Sequence, residues 1–242
     1  MRARESGGVV TPARLNIGRV GSRYTTAAML RFRADHARAV DAVLTEVDVD
    51  WPRKNGLAEL HSEAASRDEY LRRPERGRRV RTEEISKLKS LNTGSSKKEA
   101  AKPSVLIFVG DGLSSAAVEA NAGPLLRALM KALDRKYSLL KPVFIRNARV
   151  RIEDHIGEIL RPDCICMIVG ERPGLATAES LSAYVIYRPR RSSLEPDRTV
   201  ISNIHRGGIP IAEAAKKISA LINNAMVHRA TGARLAAMLP PD

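Results

Sequence analysis

The sequence predicts an α/β fold in which a mostly parallel sheet carries helices on both faces. Two continuous apolar runs of strand length, residues 105–109 and 164–169, each end at a glycine. Runs without polar alternation are typical of strands that are covered on both faces. Amphipathic patterns of helix length alternate with these runs, and that alternation predicts a parallel sheet between helical layers.

The N-terminal part of the chain predicts helices rather than strands. Residues 25–47 form the first helix, with Thr25 or Thr26 as the N-terminal cap and apolar side chains at spacings of three and four. The predicted inner face consists of Met29, Phe32, His36, Val40, Val43 and Val47. Residues 57–91 predict shorter helices that break at Pro74 and Gly77.

A polar stretch without apolar periodicity, residues 92–102, predicts a surface linker. The chain is therefore predicted to divide into two domains. Residues 1–102 form an N-terminal helical region that includes the linker, and residues 103–242 form the α/β domain.

Within the α/β domain the predicted elements follow one another closely. A helix at 114–135, capped by Ser114 or Ser115, follows the first strand, and the closing helix lies at 211–227. The elements between these two helices are a strand at 142–145, a helix at 153–160, and strands at 164–169, 183–187 and 199–204.

The composition excludes some classes of protein. No apolar run approaches the roughly 20 residues that span a bilayer, and the N-terminus lacks the apolar core of a secretory signal. Cys164 and Cys166 lie two positions apart, which indicates buried thiols in a reducing compartment rather than a disulfide. Lysine and arginine total 41 against 27 acidic residues, and this excess of 14 predicts a negatively charged partner, either nucleic acid or an acidic protein.

Two glycine-containing turns follow predicted strands, at the edge where α/β sheets bind ligands. They are Gly110-Asp111-Gly112 and Gly170-Glu171-Arg172-Pro173-Gly174. Neither matches a dinucleotide-binding or phosphate-binding motif, so the glycines are compatible with tight strand-to-helix turns as well as with a ligand site. The residues alone leave both interpretations open.

Motifs that match a known family occur in order from about residue 11 to residue 215. They include TPARL at 11–15, GRVGSR at 18–23, FRADH at 32–36, AVDAV at 39–43, YLRRP at 70–74, GRR at 77–79, DGLS at 111–114, RVRIED at 149–154, IGE at 156–158, GERPGL at 170–175, ESLSAY at 179–184, DRT at 197–199 and ISNI at 201–204. Together they resemble the small subunit of ethanolamine ammonia-lyase.

This resemblance implies an enzyme subunit with a Rossmann-like fold, preceded by an N-terminal helical arm that makes subunit contacts. The family enzyme converts ethanolamine to acetaldehyde and ammonia by a radical mechanism that adenosylcobalamin starts. Its large subunit, a TIM barrel, binds ethanolamine, and the small subunit forms one wall of the cobalamin site at their interface. The resemblance also implies activity only with the large subunit, a hexamer of heterodimers, and a cofactor in its base-on form.

Three cobalamin-contacting residues carry over from the resemblance. Val150 is expected to offer its backbone to a corrin amide, and the Glu171 carboxylate to accept hydrogen bonds from corrin amide groups. At Val200 the family commonly has cysteine, so only a backbone or van der Waals contact is expected. Ala148 replaces the family's usual glycine before Arg149. No residue of this chain is assigned to catalysis or to a metal.

Other interpretations compete with this assignment. Without the resemblance, Glu171 is a surface carboxylate that pairs with Arg172. The arginine-rich runs at 72–81 and 188–191 favour a basic nucleic-acid-binding module, although few aromatic side chains accompany them. A third alternative is a scaffold that kept the fold and lost the cofactor, which the valine at position 200 leaves open.

His155 lies in the run EDHIGE at 153–158, whose spacing differs from the histidine motif of proteins that coordinate cobalamin themselves. We therefore expect a histidine near a helix start and no metal site. Only ten residues precede Thr11, which predicts a location in the bacterial cytoplasm, with packaging in an ethanolamine-utilisation microcompartment left open. Neither a membrane nor a specific nucleic acid is an expected partner.

Overall fold

The computed structural model describes residues 17–92 and 102–239, and its architecture is mixed α/β. The strands in these residues are β1 (Arg19–Val20), β2 (Arg23–Tyr24), β3 (Ala58–His61), β4 (Ser104–Gly110), β5 (Ser138–Leu139), β6 (Val143–Arg146), β7 (Cys164–Gly170), β8 (Leu181–Tyr187) and β9 (Thr199–Ile204). The helices are α1 (Thr26–Leu44), α2 (Trp51–Lys54), α3 (Arg67–Arg72), α4 (Ile85–Leu91), α5 (Ser115–Ala117), α6 (Gly123–Leu133), α7 (Ile152–Leu160), α8 (Ile211–His228) and α9 (Gly232–Ala236). A π-helical turn, Val118–Ala122, joins α5 to α6, and 3₁₀ turns lie at Arg76–Arg78, Thr82–Glu84 and Glu195–Asp197. Within the described ranges, no helix has both the length and the apolar character that crossing a bilayer requires.

One sheet organises the fold, with the strand order β3-β6-β4-β7-β8-β9 and the short β5 paired with the start of β4. Neighbouring strands from β3 to β7 run parallel, as the alternation of strands and helices predicts. β8 and β9 are antiparallel to their neighbours. The connection between β7 and β8, residues 171–180, is shorter than the dozen residues that a parallel crossover needs. The predicted α/β class is confirmed, with a sheet that is mixed at one end.

Alternating side chains of β4 divide the core into two layers. Val105, Ile107 and Val109 pack with α6 and α8 on one face of the sheet. Leu106 and Phe108 pack with α4 and α7 on the other face. All five side chains are fully buried. Helices therefore cover both faces of this strand, as its continuous apolar run predicts.

The two cysteines lie on one face of β7. Cys164 and Cys166 both pack in the layer that contains α6 and α8, and neither has exposed surface. Both thiols are free, and burial raises the pKa of each. The prediction of buried, unpaired thiols is confirmed, because these side chains fill the core as small apolar groups.

The prediction of helix across residues 57–91 is wrong at β3. Ala58–His61 pairs in parallel with β6, and Leu60 is fully buried in the layer that contains α4 and α7. Leu57 and Leu60 stand three apart, a spacing that suits a helix, but pairing with β6 satisfies the backbone of this short segment. The helices α3 and α4, later in the same stretch, agree with the prediction.

Strand β3 joins the first part of the chain to the sheet formed by the second part. The division into domains at residue 102 remains a prediction. Most of the predicted linker, residues 93–101, lies outside the described residues, as does the motif at 11–15.

Helix α1 begins as predicted, but its burial differs from the prediction. The Thr25 hydroxyl caps the helix by accepting a hydrogen bond from the Ala28 N–H at 3.3 Å. Phe32 of the predicted inner face is 45% exposed and Val40 is 40% exposed. The buried residues of the helix include Asp35, on a different side. Periodicity reveals an apolar face of a helix without revealing what covers it.

Candidate functional site

A cleft of about 400 Å³ lies beyond the carboxyl ends of β4 and β7. Its lining includes the three residues that the resemblance singles out, Val150, Glu171 and Val200. They come from three separate segments: the turn before α7, the turn after β7, and the edge strand β9. The fold therefore brings together residues that are distant in sequence, at the edge where α/β sheets bind ligands.

The Glu171 carboxylate is held by two donors at one oxygen. The Ser182 hydroxyl donates to Oε1 at 2.6 Å, and the Asn203 backbone N–H donates to the same oxygen at 2.9 Å. Among the described residues, Glu171 forms no ion pair with Arg172, and nothing donates a hydrogen bond to its Oε2. This arrangement differs from the alternative interpretation of the sequence, in which Glu171 forms an ion pair with Arg172 on the surface.

The turn that carries Val150 is fixed by a buried carboxylate. Asp111 accepts hydrogen bonds from the backbone N–H groups of Asn147, at 2.8 Å, and Ala148, at 3.1 Å. Burial raises the pKa of Asp111, and the nearby Arg67 guanidinium opposes that rise. The Val150 carbonyl accepts from the Glu153 N–H at 3.1 Å, and its own N–H has no acceptor among the described residues.

Arg67 ties the end of α1 to this edge of the sheet. Its Nε donates to the Val43 carbonyl at 2.7 Å, and its Nη1 donates to the Gly112 carbonyl at 2.7 Å. The same nitrogen lies 3.6 Å from Asp111 Oδ2, and both side chains are buried. A buried cation is stable only with such partners, so Arg67 and Asp111 together determine where this turn lies.

A second wall of the cleft is built from Tyr70 and Arg149. The Arg149 guanidinium carbon lies 4.2 Å from the Tyr70 ring centroid, and Nη2 donates to the Tyr70 carbonyl at 3.0 Å. Arg149 also donates its backbone N–H to the Gly77 carbonyl at 2.7 Å. A Cβ at Gly77 would lie 2.7 Å from Arg149 Cγ, so the glycine permits this close approach. Arg149 Nε is buried without a hydrogen-bond partner among the described residues.

Val200 contributes an exposed apolar surface to the cleft. It lies on β9 opposite Tyr184 of β8, and 45% of its surface is exposed. Both residues line the cleft. A valine side chain offers van der Waals contact and no hydrogen bond, as the sequence predicts for this position.

A buried ion-pair cluster, which sequence reasoning did not identify, joins two sides of the cleft. Arg198, immediately before β9, contacts Glu153 of α7 at 3.1 Å and also pairs with Asp154. Burial raises the pKa of both Glu153 and Asp154, and the Arg198 guanidinium opposes the rise. The sequence offered one indication of this cluster: two adjacent acidic residues in an otherwise amphipathic helix. Charges that become buried there require partners of opposite charge.

Gly112 and Gly170, one glycine from each turn, are explained by contact between the turns. A Cβ at Gly112 would lie 2.3 Å from the Gly170 carbonyl oxygen, and a Cβ at Gly170 would lie 2.3 Å from the Ser114 carbonyl oxygen. Gly112 also has a φ of 60°. The Leu113 N–H donates to the Gly170 carbonyl at 3.0 Å. Gly112 and Gly170 therefore permit the close packing of the two turns that frame the cleft.

A larger groove of about 530 Å³ lies between α1, α5 and residues 174–179. It contains none of the residues that the sequence predicts to bind a ligand. Part of its acidic lining is already used: Glu119 accepts a hydrogen bond from the Asp48 N–H at 2.8 Å, and Asp35 pairs with Arg38. We therefore assign the candidate site to the smaller cleft, where the three residues carried over from the family resemblance converge.

The arginine-rich runs are largely paired with nearby carboxylates. The first run contains ion pairs Arg72–Asp68 at 3.0 Å, Arg73–Glu75 at 2.6 Å, Arg76–Glu69 at 2.9 Å and Arg79–Glu63 at 3.2 Å. In the second run, Arg188 pairs with Asp163 at 2.7 Å and Arg191 with Glu158 at 2.9 Å. Much of this positive charge is therefore neutralised locally.

His155 has a structural partner in the described part of the chain. Its Nδ1 accepts a hydrogen bond from the Val80 N–H at 3.0 Å. Burial lowers the pKa of this histidine, and the nearby Arg79 and Arg191 lower it further. Across the described parts of the chain, no group of His, Cys, Asp and Glu side chains could hold a metal ion. A histidine near the start of α7 agrees with the prediction.

Comparison with known proteins identifies relatives along nearly the full chain. Residues 6–236 match the family model described as "Ethanolamine ammonia-lyase light chain (EutC)". An ethanolamine ammonia-lyase small subunit from Clostridioides difficile is 46% identical over 224 residues, which cover 92% of this chain and 74% of the relative. An ethanolamine ammonia-lyase small subunit from Lachnoclostridium phytofermentans is 46% identical over 226 residues, which cover 93% of this chain and 74% of that relative. That from Fusobacterium nucleatum is 46% identical over 224 residues, covering 92% and 73%.

Proposed function

The chain belongs to the ethanolamine ammonia-lyase light-chain family, and from that premise we propose that it forms one wall of an adenosylcobalamin site shared with a large subunit. The proposed reaction converts ethanolamine to acetaldehyde and ammonia by a radical mechanism. Activity requires both chains, because the large subunit, a TIM barrel, supplies the ethanolamine pocket. The assignment to a lyase follows from the family of the chain. The proposed role in cobalamin binding is argued from the cleft.

The convergence of Val150, Glu171 and Val200 on one cleft is the observation that carries this proposal. These positions come from the family resemblance, and their proximity is an independent property of the fold. Three unrelated surface residues on a sheet of this size would have no reason to line the same cleft. The convergence also disfavours the alternative of a scaffold that lost its cofactor.

The chemistry of the cleft fits the edge of a cobalamin molecule. Corrin side chains end in amides, whose NH₂ groups donate and whose carbonyls accept hydrogen bonds. Glu171 Oε2 has no hydrogen-bond donor among the described residues, so it is available to accept from such an amide, and Arg149 also lines the cleft. Val150, Tyr184 and Val200 supply apolar surface. Cobalamin is much larger than a cleft of about 400 Å³, which supports a site completed by a second chain.

In this proposal the chain binds and shields the cofactor and performs no acid–base step. When bound, adenosylcobalamin supplies the radical chemistry. Glu171 orients one corrin amide, the Val150 backbone contacts another, and Val200 excludes water from the edge of the site. Exclusion of water protects reactive species from quenching. The proposal keeps the cofactor in its base-on form and assigns no axial ligand to this chain.

The exposed apolar face of α1 supports a contact between the N-terminal region and the large subunit. Phe32 and Val40 are both exposed there, although they lie on the apolar stripe of the helix. Exposed apolar stripes of this kind mark protein–protein contacts. We also propose that the sheet is Rossmann-like and that the N-terminal region is a helical arm. The assembly is proposed to be a hexamer of heterodimers, located in the bacterial cytoplasm or in a microcompartment.

The test is co-expression with the large subunit encoded in the same genome. We expect the two chains to purify together and to release ammonia from ethanolamine only when adenosylcobalamin is added. Glu171→Ala should weaken cofactor binding, whereas the control Glu179→Ala, which removes a carboxylate from the other groove, should not. Ammonia release by this chain alone would contradict the proposal.

Two other outcomes would favour the alternatives. A stable complex that neither binds adenosylcobalamin nor releases ammonia would favour a scaffold without cofactor. Failure to form a complex, together with tight and strongly salt-dependent binding to mixed DNA or RNA, would favour a nucleic-acid-binding module. The local pairing of the arginine runs disfavours this last alternative.

A further inference from the structure

A β-bulge lies next to the Glu171 carboxylate. Between the paired positions Leu181–Ile204 and Ala183–Ile201, β8 contributes one residue, Ser182, and β9 contributes two, Ser202 and Asn203. The extra residue on β9 interrupts the ladder of hydrogen bonds between these strands. Bulges occur beside functional sites because they redirect groups out of the ladder.

Asn203 adopts an unusual backbone conformation at this bulge. Its φ is 60°, in the left-handed region that non-glycine residues rarely occupy and that asparagine tolerates best. In this conformation its N–H donates to Glu171 Oε1 at 2.9 Å. The bulge therefore turns a backbone donor toward a side chain of the candidate cleft.

A short chain of hydrogen bonds keeps Asn203 in place. The Ile209 N–H donates to the Asn203 carbonyl at 2.8 Å. The His205 Nδ1 accepts from the Gly207 N–H at 3.1 Å, so the neutral ring carries its proton on Nε2, which lies 2.8 Å from Asn203 Oδ1. Gly208 packs so tightly that a Cβ would lie 2.3 Å from the Asn203 carbonyl oxygen.

We propose that Ser182 and Asn203 are positioning residues that orient Glu171 for hydrogen bonding with its ligand. Both donate to Oε1, and this leaves Oε2 as the carboxylate oxygen that accepts from the ligand. Ser182 lines the cleft but is only 4% exposed, and its hydroxyl donates to Glu171, so we expect it to act through that carboxylate. A carboxylate held at one oxygen loses less conformational freedom when its ligand binds.

This inference rests on the proposed cobalamin site, and it gives a role to two of the family-like motifs. ESLSAY at 179–184 contains Ser182, and ISNI at 201–204 contains Asn203. Neither residue is expected to touch the cofactor. Each is expected to act through the same oxygen of Glu171, and their effects should therefore depend on that carboxylate.

The experiment measures the dissociation constant of cyanocobalamin for the complex of this chain with its large subunit, by equilibrium dialysis. Ser182→Ala removes one donor, and Asn203→Val disfavours the left-handed backbone. Each should weaken binding by up to about tenfold, because the carboxylate is no longer held in its binding orientation before the ligand arrives. Asn203→Gly retains the N–H and favours a positive φ, so it should restore binding close to that of the unmodified chain. The control Ser219→Ala removes a buried hydroxyl from α8 and should leave binding unchanged.

A double-mutant cycle separates positioning from a general effect on folding. In a Glu171→Ala background, Ser182→Ala and Asn203→Val should cause no further loss of affinity, because the carboxylate on which they act is absent. A further tenfold loss in that background would overturn the proposal. So would unchanged binding by Ser182→Ala in a chain where Glu171→Ala weakens binding. If the unmodified complex fails to bind cyanocobalamin, or Glu171→Ala binds as tightly, the proposed function itself is wrong.

Discussion

Arg198 Nε lies 3.1 Å from Glu153 Oε2, and both side chains are almost completely buried. The same guanidinium pairs with Asp154. Arg198 immediately precedes β9, which carries Val200, whereas Glu153 lies in the first turn of α7, next to Val150. This ion pair therefore determines how far apart two walls of the candidate cleft lie.

Replacing Arg198 should destabilise the chain strongly. Arg198→Met keeps much of the side-chain volume but leaves the buried Glu153 without its cation, whereas Asp154 keeps its ion pair with Arg151. Removal of one partner of a buried pair costs about 3–5 kcal/mol, because the remaining charge is uncompensated. The free energy of unfolding, from urea titration at a pH above the raised pKa of Glu153 in the folded chain, should fall by that amount.

Arg191 provides the matched control for this prediction. It pairs with Glu158 at 2.9 Å, but the two side chains are 62% and 35% exposed. Exposed pairs contribute at most about 1 kcal/mol, so Arg191→Ala should have a small effect. Equal losses for Arg198→Met and Arg191→Ala would show that burial does not determine the contribution of the Arg198 cluster.

The Glu153 carboxyl group should make stability depend on pH. Burial raises its pKa well above the ordinary value of 4.5, and Arg198 opposes this only in part. At pH values between about 4.5, the ordinary pKa, and the raised pKa of the folded state, the folded chain keeps a proton that the unfolded chain has lost. The contribution of this group to stability is therefore complete below about pH 4.5 and is lost as pH rises toward the folded pKa.

Glu153→Gln removes that proton equilibrium while nearly keeping the side-chain shape. We expect the unfolding free energy of the unmodified chain, minus that of Glu153→Gln, to fall with rising pH by up to about 1.4 kcal/mol per pH unit. Urea titrations at several pH values above 4.5 would measure this, and the subtraction cancels the contribution from Asp111, which is not among the causes of the raised pKa of Glu153. A difference that rises with pH would show that the ion pair with Arg198 overcomes burial.

The alternation of elements along the chain was sufficient to predict most of the sheet. The strands at 105–109 and 164–169 were recognisable because burial on both faces demands continuous apolar runs. β3 was missed, because four residues are too few to distinguish a strand from a helix, and its partner β6 is distant in sequence. The antiparallel direction of β8 follows from the short connection between β7 and β8. A prediction based on hydrophobic periodicity alone does not take the length of that connection into account.

The residues of the candidate site could be predicted only where they lie in motifs that resemble the family. Val150, Glu171 and Val200 come from resemblance, and no periodicity indicates that they share a cleft. The two donors to Glu171 lie 11 and 32 positions further along the chain, and such contacts are set by the register of β8 and β9. The bulge that brings Asn203 to Glu171 leaves no signal in composition, since asparagine occurs in many turns.

The exposed face of α1 allows a test of subunit contact that is separate from the chain's own stability. Phe32 is 45% exposed, so Phe32→Ser should change the unfolding free energy of this chain by less than about 1 kcal/mol. The same change should weaken co-purification with the large subunit, because it removes an apolar contact. Thr26→Ser, at the start of the same helix, is the matched control. Undiminished capture of Phe32→Ser in a pull-down would contradict the proposed contact.

The contact between the two glycine turns can be measured with a pair of matched substitutions. Gly112 and Gly56 both have positive φ, 60° and 71°, but a Cβ at Gly56 would meet open space, whereas a Cβ at Gly112 would lie 2.3 Å from the Gly170 carbonyl oxygen. Gly56→Ala should cost about 1 kcal/mol through backbone strain alone. Gly112→Ala should cost at least about 2 kcal/mol more, because the turns after β4 and β7 must separate. Thermal and urea unfolding would measure both, and equal losses would mean that the turns move apart freely and do not form a rigid framework for the cleft.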